Sequence, residues 1–385
     1  MPQPALKQAS PERFGDYLVY EQLGRGGMAT VHRAEKPQRN GPPKQVALKR
    51  LIPTTDRARV ALFVDEGRLL KYLDHPNIAT TYESGKLFGT HFIAMEYVPG
   101  PTLKELVARC GTTVGAVPEP ITVDIAAQLL AALDHAHNRT DPTGQPLGII
   151  HRDVTPANII LSDAGVVKLI DFGLAKASVT KEESNTIKGK FGYVAPEYLD
   201  GSLDHRADLW AVGIIMYELL TSRRLFDGMD AYDTVMRIKS LPIPRPSRAN
   251  PRVTPALDLV VMRALDRDRS QRWKSAAEMR AALEDVTAAS EFKIERSHVA
   301  EWASWVQSLP PGTEASGMSH LARLVRHKVV ASPPPAPKPV EVEATVLEPD
   351  PPVAMSPSRG ALVWYIGAGL LALFIAVALV WSLAA

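Results

Sequence analysis

The sequence predicts an α+β protein in which a small, β-rich lobe precedes a larger, mainly helical one. Three observations carry the prediction. Short strand-like runs fill residues 14–95 and surround one stretch, 57–73 (RARVALFVDEGRLLKYL), whose apolar residues recur at helical spacing. After Gly100 the pattern turns mainly helical and stays so to about residue 290. Within that second part lies 151–173, HRDVTPANIILSDAGVVKLIDFG, where two short apolar runs are framed by Asp153, Asn158 and Asp171.

At 385 residues the chain has room for two or three domains and a large core. A hydrophobic content of 45% and a formal net charge of +2 suit a globular protein and give no reason to invoke nucleic acid. Cys110 is the only cysteine, so no intrachain disulfide forms, and a reducing compartment fits. The opening residues, MPQPALKQASPERFG, lack the apolar core of a secretion signal, and none is expected.

Taken in order, residues 1–13 are polar and Pro-containing and read as a flexible lead-in. Strands follow from Phe14 to about Ala47, with a glycine cluster at 24–27 and a Pro- and Gly-rich loop at 37–43. His75-Pro76-Asn77 closes the helix of 57–73, and short strands run on to Met95. Residues 121–137 read as an amphipathic helix, and Asp141-Pro142-Thr143-Gly144 marks a turn. Further helices are expected at 209–220, 254–265 and 275–289. Residues 291–330 read as one or two more, a helical extension with Trp302 and Trp305 on an apolar face. From 331 to 359 the composition shifts to Pro, Glu, Ser and Val without periodicity, which is the composition of an extended, disordered linker. No internal repeat is present.

The chemistry begins at Leu23-Gly24-Arg25-Gly26-Gly27-Met28-Ala29-Thr30-Val31. Glycines let a backbone approach phosphates with its amides turned toward them, although a glycine-rich hairpin turn alone is an equally good reading. Lys49 ends the strand-like Val46-Ala47-Leu48; a lone lysine there is usually solvated surface. Two acids and an amide at 153, 158 and 171 form a different kind of signal. Phosphoryl transfer needs an acid to orient the attacking hydroxyl and hard oxygen ligands for Mg²⁺. Singly, each such residue in a turn is more often a cap.

In order and spacing these motifs resemble the signature set of the protein kinase superfamily, and in particular the bacterial Hanks-type (eukaryotic-like) serine/threonine protein kinases. The resemblance runs from about Phe14 to Leu283. It implies a bilobal kinase domain at 14–290 in which Leu23, Gly24, Gly26, Gly27 and Val31 cover ATP. Lys49 would contact the α- and β-phosphates while paired with Glu66, the neighbouring Asp65 facing another way on its helix. The hinge would be Glu96-Tyr97-Val98, reading the adenine edge through its backbone, with Ala47 and Leu161 as apolar walls. Asp153 would orient the acceptor hydroxyl, and Asn158 and Asp171 would hold Mg²⁺. Ala195-Pro196-Glu197 matches the A-P-E element, so Glu197 is expected to pair with Arg272 and Asp208 to support the catalytic loop.

The chain departs from the family pattern at three positions. Ala29 stands where the glycine loop has its third glycine. Thr155 stands where serine/threonine kinases carry a lysine two residues after the catalytic aspartate. Lys190, in Gly189-Lys190-Phe191-Gly192-Tyr193, stands where they carry a threonine. Because the family's lysine and threonine lie together beside that aspartate, this chain is expected to have exchanged them. The Lys190 ammonium would then act near the transferred phosphate and Thr155 would supply the hydroxyl. Between Asp171 and Glu197 the activation segment carries Ser178, Thr180, Ser184 and Thr186. Ser184 or Thr186 is the expected autophosphorylation site, its phosphate ordered by Arg152.

Residues 361–385, ALVWYIGAGLLALFIAVALVWSLAA, contain no charge. As a helix they extend about 37 Å, against a hydrocarbon core of about 30 Å. A transmembrane helix over 361–383 is therefore expected, with Arg359 on its N-terminal flank placing the kinase on the cytoplasmic side of a bacterial membrane. Tethering would raise the local concentration of kinases and favour self-association and trans-autophosphorylation. The sequence therefore reads as a membrane-anchored protein kinase acting on protein hydroxyls with ATP and Mg²⁺. A nucleotide-binding pseudokinase scaffold is the alternative, given Thr155 and Lys190. A small-molecule kinase fits less well because of the A-P-E element.

Overall fold

Every second residue of β4 (Lys44–Leu51) enters a different core, and this alternation places the first functional side chain. Val46 and Leu48 pack with Phe14, Tyr17, Ala34 and Phe92 on one face of the sheet. Ala47 and Leu51 pack with Phe63, Ile93 and Met95 on the other. Lys49 shares the second face. The computed structural model of the chain describes residues 10–172, 191–201, 203–289 and 293–330. Lys190, Ser184, Thr186, the linker at 331–359 and the apolar run expected to span the membrane at 361–383 lie outside them.

The first lobe is a six-stranded antiparallel sheet in the order β1-β2-β3-β4-β6-β5. Its other strands are β1 (Glu12–Phe14), β2 (Tyr17–Arg25), β3 (Ala29–Lys36), β5 (Thr81–Leu87) and β6 (Thr90–Glu96). The glycine cluster forms the β2–β3 turn, with the Gly26 amide donating to the Ala29 carbonyl at 2.8 Å. Between β4 and β5 runs α1 (Arg57–Leu69), opened by Asp56, whose carboxylate accepts from the Ala58 amide at 2.9 Å. Phe63 and Glu66 lie one turn apart on its buried side, against the sheet face that carries Lys49.

The second lobe contains α2 (Leu103–Gly111), α3 (Glu119–His137), α4 (Arg206–Thr221), α5 (Ala231–Ser240), α6 (Pro246–Ala249), α7 (Pro255–Ala264) and α8 (Ala276–Ala288). A two-stranded hairpin, β7 (Ile159–Leu161) with β8 (Val167–Leu169), separates α3 from α4. Every residue of α4 from Ala207 to Thr221 is buried, so the helix runs through the centre of the lobe with no solvent face. The extension expected at 291–330 is two helices, α9 (Arg296–Ser308) and α10 (Gly317–Val330). Trp302 is wholly buried, and Trp305 stacks on His320 with ring centroids 3.8 Å apart.

α2 is absent from the sequence reading although Thr102 and Glu105 form a capping box at its start. The Thr102 hydroxyl accepts from the Glu105 amide, and the Glu105 carboxylate accepts from the Thr102 amide. Among the described residues no helix is long and apolar enough to cross a membrane.

Candidate active site

Lys49 comes from β4, Glu66 from α1 and Asp171 from the residues after β8; the first two are buried, and Asp171 meets Lys49 from a partly exposed position. The Lys49 ammonium lies 2.6 Å from Glu66 Oε1 and 3.0 Å from Asp171 Oδ1. Burial alone would push that ammonium's pKa down, but the two carboxylates outweigh it and hold the value well above that of an ordinary lysine. Asp65, one residue from Glu66, is exposed and sits 3.7 Å from Arg68. Helical geometry thus separates the two acids as expected.

The catalytic loop is fixed from below by Asp208, at the start of α4. Its carboxylate accepts from the His151 amide (2.9 Å), the Arg152 amide (2.9 Å) and His137 Nε2 (2.8 Å). Burial pushes this carboxyl up, but the His137 hydrogen bond and the other donors outweigh it and leave the pKa lowered. Arg152 has φ +63° and Asp171 +54°, both in the left-handed region that costs a side chain free energy. Each is held there by the contacts just named. Asn158 closes a short 3₁₀ turn, Pro156–Asn158, and its amide nitrogen donates to Asp153 Oδ2 (2.8 Å) and to the Asp153 carbonyl (2.9 Å). Its backbone carbonyl accepts from the Ile170 amide at 2.9 Å, so Asn158 and the approach to Asp171 are tied together.

Those residues suit Mg²⁺. With its nitrogen committed to Asp153, Asn158 offers a neutral carbonyl oxygen, and Asp171 offers carboxylate oxygens; both are hard donors. Among the described residues no group of three or more His, Cys, Asp or Glu could hold a metal unaided. Two protein oxygens completed by phosphate oxygens are the arrangement such a cation takes in nucleotide sites.

The hinge follows β6. The Glu96 carboxylate is engaged by Lys168 Nζ (2.8 Å) and the Thr80 amide (3.1 Å), and the Glu96 amide donates to the Thr80 carbonyl (2.8 Å). Beyond it the Leu161 amide donates to the Pro101 carbonyl (3.0 Å) and the Asp163 amide to the Pro99 carbonyl (3.1 Å), strapping β7 to the hinge. Gly100, at φ +135°, has no room for a side chain: a Cβ there would lie 2.2 Å from the Leu161 carbonyl oxygen. Ala47, Val98 and Leu161 are buried, whereas Leu23 is exposed.

Glu197 and Arg272 form a buried two-point pair at 2.7 and 2.8 Å, as the resemblance implies. Thr155 is buried, and its hydroxyl has no hydrogen-bond partner among the described residues. Sequence reasoning missed Tyr193 with Glu218, whose hydroxyl and carboxylate meet at 2.6 Å inside the lobe. It also missed His137 beneath the catalytic loop. Neither carries a local signal, because each partner lies far along the chain.

A two-lobed fold with this constellation is that of a phosphotransferase on the protein kinase plan. The protein kinase domain matches residues 17–283, and the chain belongs to the protein kinase family. It is 32% identical over 276 residues to the tyrosine-protein kinase MasK of Myxococcus xanthus, covering 70% of this chain and 43% of that protein. It is 31% identical over 301 residues to the serine/threonine-protein kinase PrkC of Bacillus subtilis, covering 77% of this chain and 44% of PrkC. PknB of Mycolicibacterium smegmatis is 34% identical over 287 residues, 71% of this chain and 43% of PknB. The chain thus spans less than half the length of each of these relatives. Among solved structures, the kinase domain of Mycobacterium tuberculosis PknI superposes with a TM-score of 0.55 at 29% identity, covering 74% of this chain and all of that one.

Proposed function

We propose that this chain is a membrane-anchored serine/threonine protein kinase that transfers the γ-phosphate of ATP to protein hydroxyls and autophosphorylates. The observation that carries the reading is the assembled set of Lys49, Glu66 and Asp171 beside Asp153 and Asn158. Asp153 accepts from Asn158, so its carboxylate is fixed where an acceptor hydroxyl can be oriented. Lys49 positions the α- and β-phosphates, and bound Mg²⁺ supplies charge neutralisation on the triphosphate.

The acceptor is assigned as Ser or Thr because PrkC and PknB bear that description. Tyrosine is the second reading, favoured by the likeness to MasK and by Thr155 in place of the usual lysine. Regulation is assigned to Ser184 or Thr186, since Arg152 Nε is buried without a hydrogen-bond partner among the described residues. The uncharged run 361–385 supports the anchor, with self-association on the membrane following from it.

The test is incubation of the full chain in detergent with Mg·ATP, alongside Asp153→Asn, with phosphosites mapped by mass spectrometry. Phosphate on Ser184 or Thr186 in the wild type only is expected. Phosphotyrosine alone would shift the acceptor. Nucleotide binding with no transfer to the chain or to a generic substrate would leave a scaffold.

A further inference from the structure

α9 and α10 lie beyond residue 283, where the family match ends, yet they are built into the catalytic lobe. Val299, Trp302, Ala303 and Val306 of α9 and Leu321 of α10 belong to the same buried cluster as Leu161, Val167 and Leu169 of the hairpin. The Trp302 indole donates to the Gly317 carbonyl at 3.2 Å and joins the start of α10 to α9. The connection between the helices returns two hydrogen bonds to the turn after α2, Gly312 amide to Thr112 carbonyl (3.0 Å) and Ala315 amide to Thr113 carbonyl (3.1 Å).

The start of α9 rests on the turn between β7 and β8. Gly165 in that turn has φ +74°, and a Cβ there would stand 2.0 Å from the Arg296 carbonyl oxygen and 3.2 Å from the Ala300 amide nitrogen. Backbone meets backbone. From inside the lobe Gln128 grips the same turn: Nε2 donates to the Gly165 carbonyl (3.2 Å) and to Asp124 (2.7 Å), while Oε1 accepts from the Val167 amide (3.0 Å) and from Asn77 (2.9 Å). Burial pushes the Asp124 carboxyl up, and the Gln128 hydrogen bond and the Arg296 guanidinium oppose it.

This turn closes a hairpin whose open end carries Asn158, just before β7, and Asp171, two residues after β8. A pair of three-residue strands has little stability of its own. The position of the two metal residues therefore depends on what holds the hairpin from outside. The hinge holds β7, Asn77 and Ala79 hold β8 through backbone bonds to Leu169, and Gln128 and α9 hold the turn.

We propose that α9 and α10 form a positioning clamp for the active site, seating the Arg296 backbone against Gly165 and so setting the spacing of Asn158 and Asp171. The proposal rests on the reading of those two residues as the Mg²⁺ ligands.

Gly165→Ala in the full chain tests it, with Gly144→Ala as control. Gly144 has a similar φ, +87°, but nothing within 4 Å of its would-be Cβ, so the pair share backbone strain and differ in the contact. The readout is the Mg²⁺ concentration giving half-maximal activity at saturating ATP, with thermal melting to verify folding. About a tenfold rise for Gly165→Ala over Gly144→Ala is expected, on the scale that small misplacements near a reacting centre produce. Equal requirements in the two folded variants overturn the clamp.

Should Gly165→Ala not fold, Trp302→Phe keeps an aromatic ring, though a smaller one, and removes the bond to Gly317. It is expected to speed amide exchange at Val167 and Ile170, whose N–H groups bond to Gln128 and Asn158; unchanged exchange there overturns the proposal. Asp171→Asn with an unaltered Mg²⁺ requirement would overturn the metal reading beneath it, a failure separate from that of the clamp.

Discussion

The Lys49 ammonium and the Glu66 carboxylate meet at 2.6 Å, with side chains only 11% and 2% exposed. α1 therefore stands against the sheet with the Lys49 ammonium already held by its carboxylate. Glu66→Gln keeps the shape and an acceptor oxygen but removes the charge, leaving Asp171, at 3.0 Å, to supply the negative charge beside Lys49. A charge-assisted hydrogen bond contributes about 1.5–3 kcal/mol. Peptide phosphorylation by Glu66→Gln is accordingly expected to fall about 10- to 100-fold in kcat/KM with the melting curve still cooperative. More than half the wild-type value would show that the pair has no part in the reaction.

Asp208 is the hidden support of the catalytic loop, because three donors from two segments end on one carboxylate. In Asp208→Asn one oxygen becomes an NH₂ group that faces N–H donors. The expected cost is about 1–3 kcal/mol in urea unfolding, the range for a buried polar group left without its partner. Turnover is expected to fall as well, since Arg152 is held at φ +63° by one of these bonds. A variant as stable and as fast as wild type would remove Asp208 from this role.

Glu218 predicts a pH effect of definite sign. Burial raises its carboxyl above the ordinary 4.5, although the Tyr193 hydrogen bond opposes the rise. Between 4.5 and the raised value the folded state keeps a proton that the unfolded state has lost. Stability from this group is thus complete below 4.5 and declines as pH rises through the folded-state pKa. Glu218→Gln cannot ionise but still accepts from Tyr193. Its melting temperature relative to wild type should therefore rise from pH 4 to 7, and a constant difference would contradict the assignment.

Much of this was legible in the sequence because the family's chemistry is written in short, ordered motifs. The resemblance named Lys49 and Glu66 as partners of the central ion pair, and helical spacing preferred Glu66 over the adjacent Asp65. Arg272 with Glu197 was legible only through the resemblance, since the two are far apart in the chain. The supports were not. His137, Gln128 and Tyr193 act across large sequence separations, and nothing local marks them. Nor could the sequence tell that the Trp302 helix would reach back to Gly165, because periodicity shows that a face is buried and not what buries it.

The exchange of Thr155 and Lys190 is the last and most specific prediction. Thr155 is buried two residues from Asp153, and its hydroxyl lacks a hydrogen-bond partner among the described residues, where the family carries a long cation. A lysine at 155 would place its charge near the transferred phosphate, so its loss alone should slow transfer. On the exchange hypothesis, Lys190 returns that charge. Lys190→Ala is therefore expected to reduce kcat about 10- to 100-fold with little change in the KM for ATP, as befits an interaction made in the transition state. Thr155→Lys alone should also be slow, because two ammonium groups would then repel in one site. The double variant, Thr155→Lys with Lys190→Thr, should recover most of the lost rate, since it restores one cation and one hydroxyl in the family's arrangement. Coupling of that kind is measured by a double-mutant cycle on kcat. Additive losses would mean that the two departures are unrelated, and unchanged turnover in Lys190→Ala would end the exchange hypothesis outright.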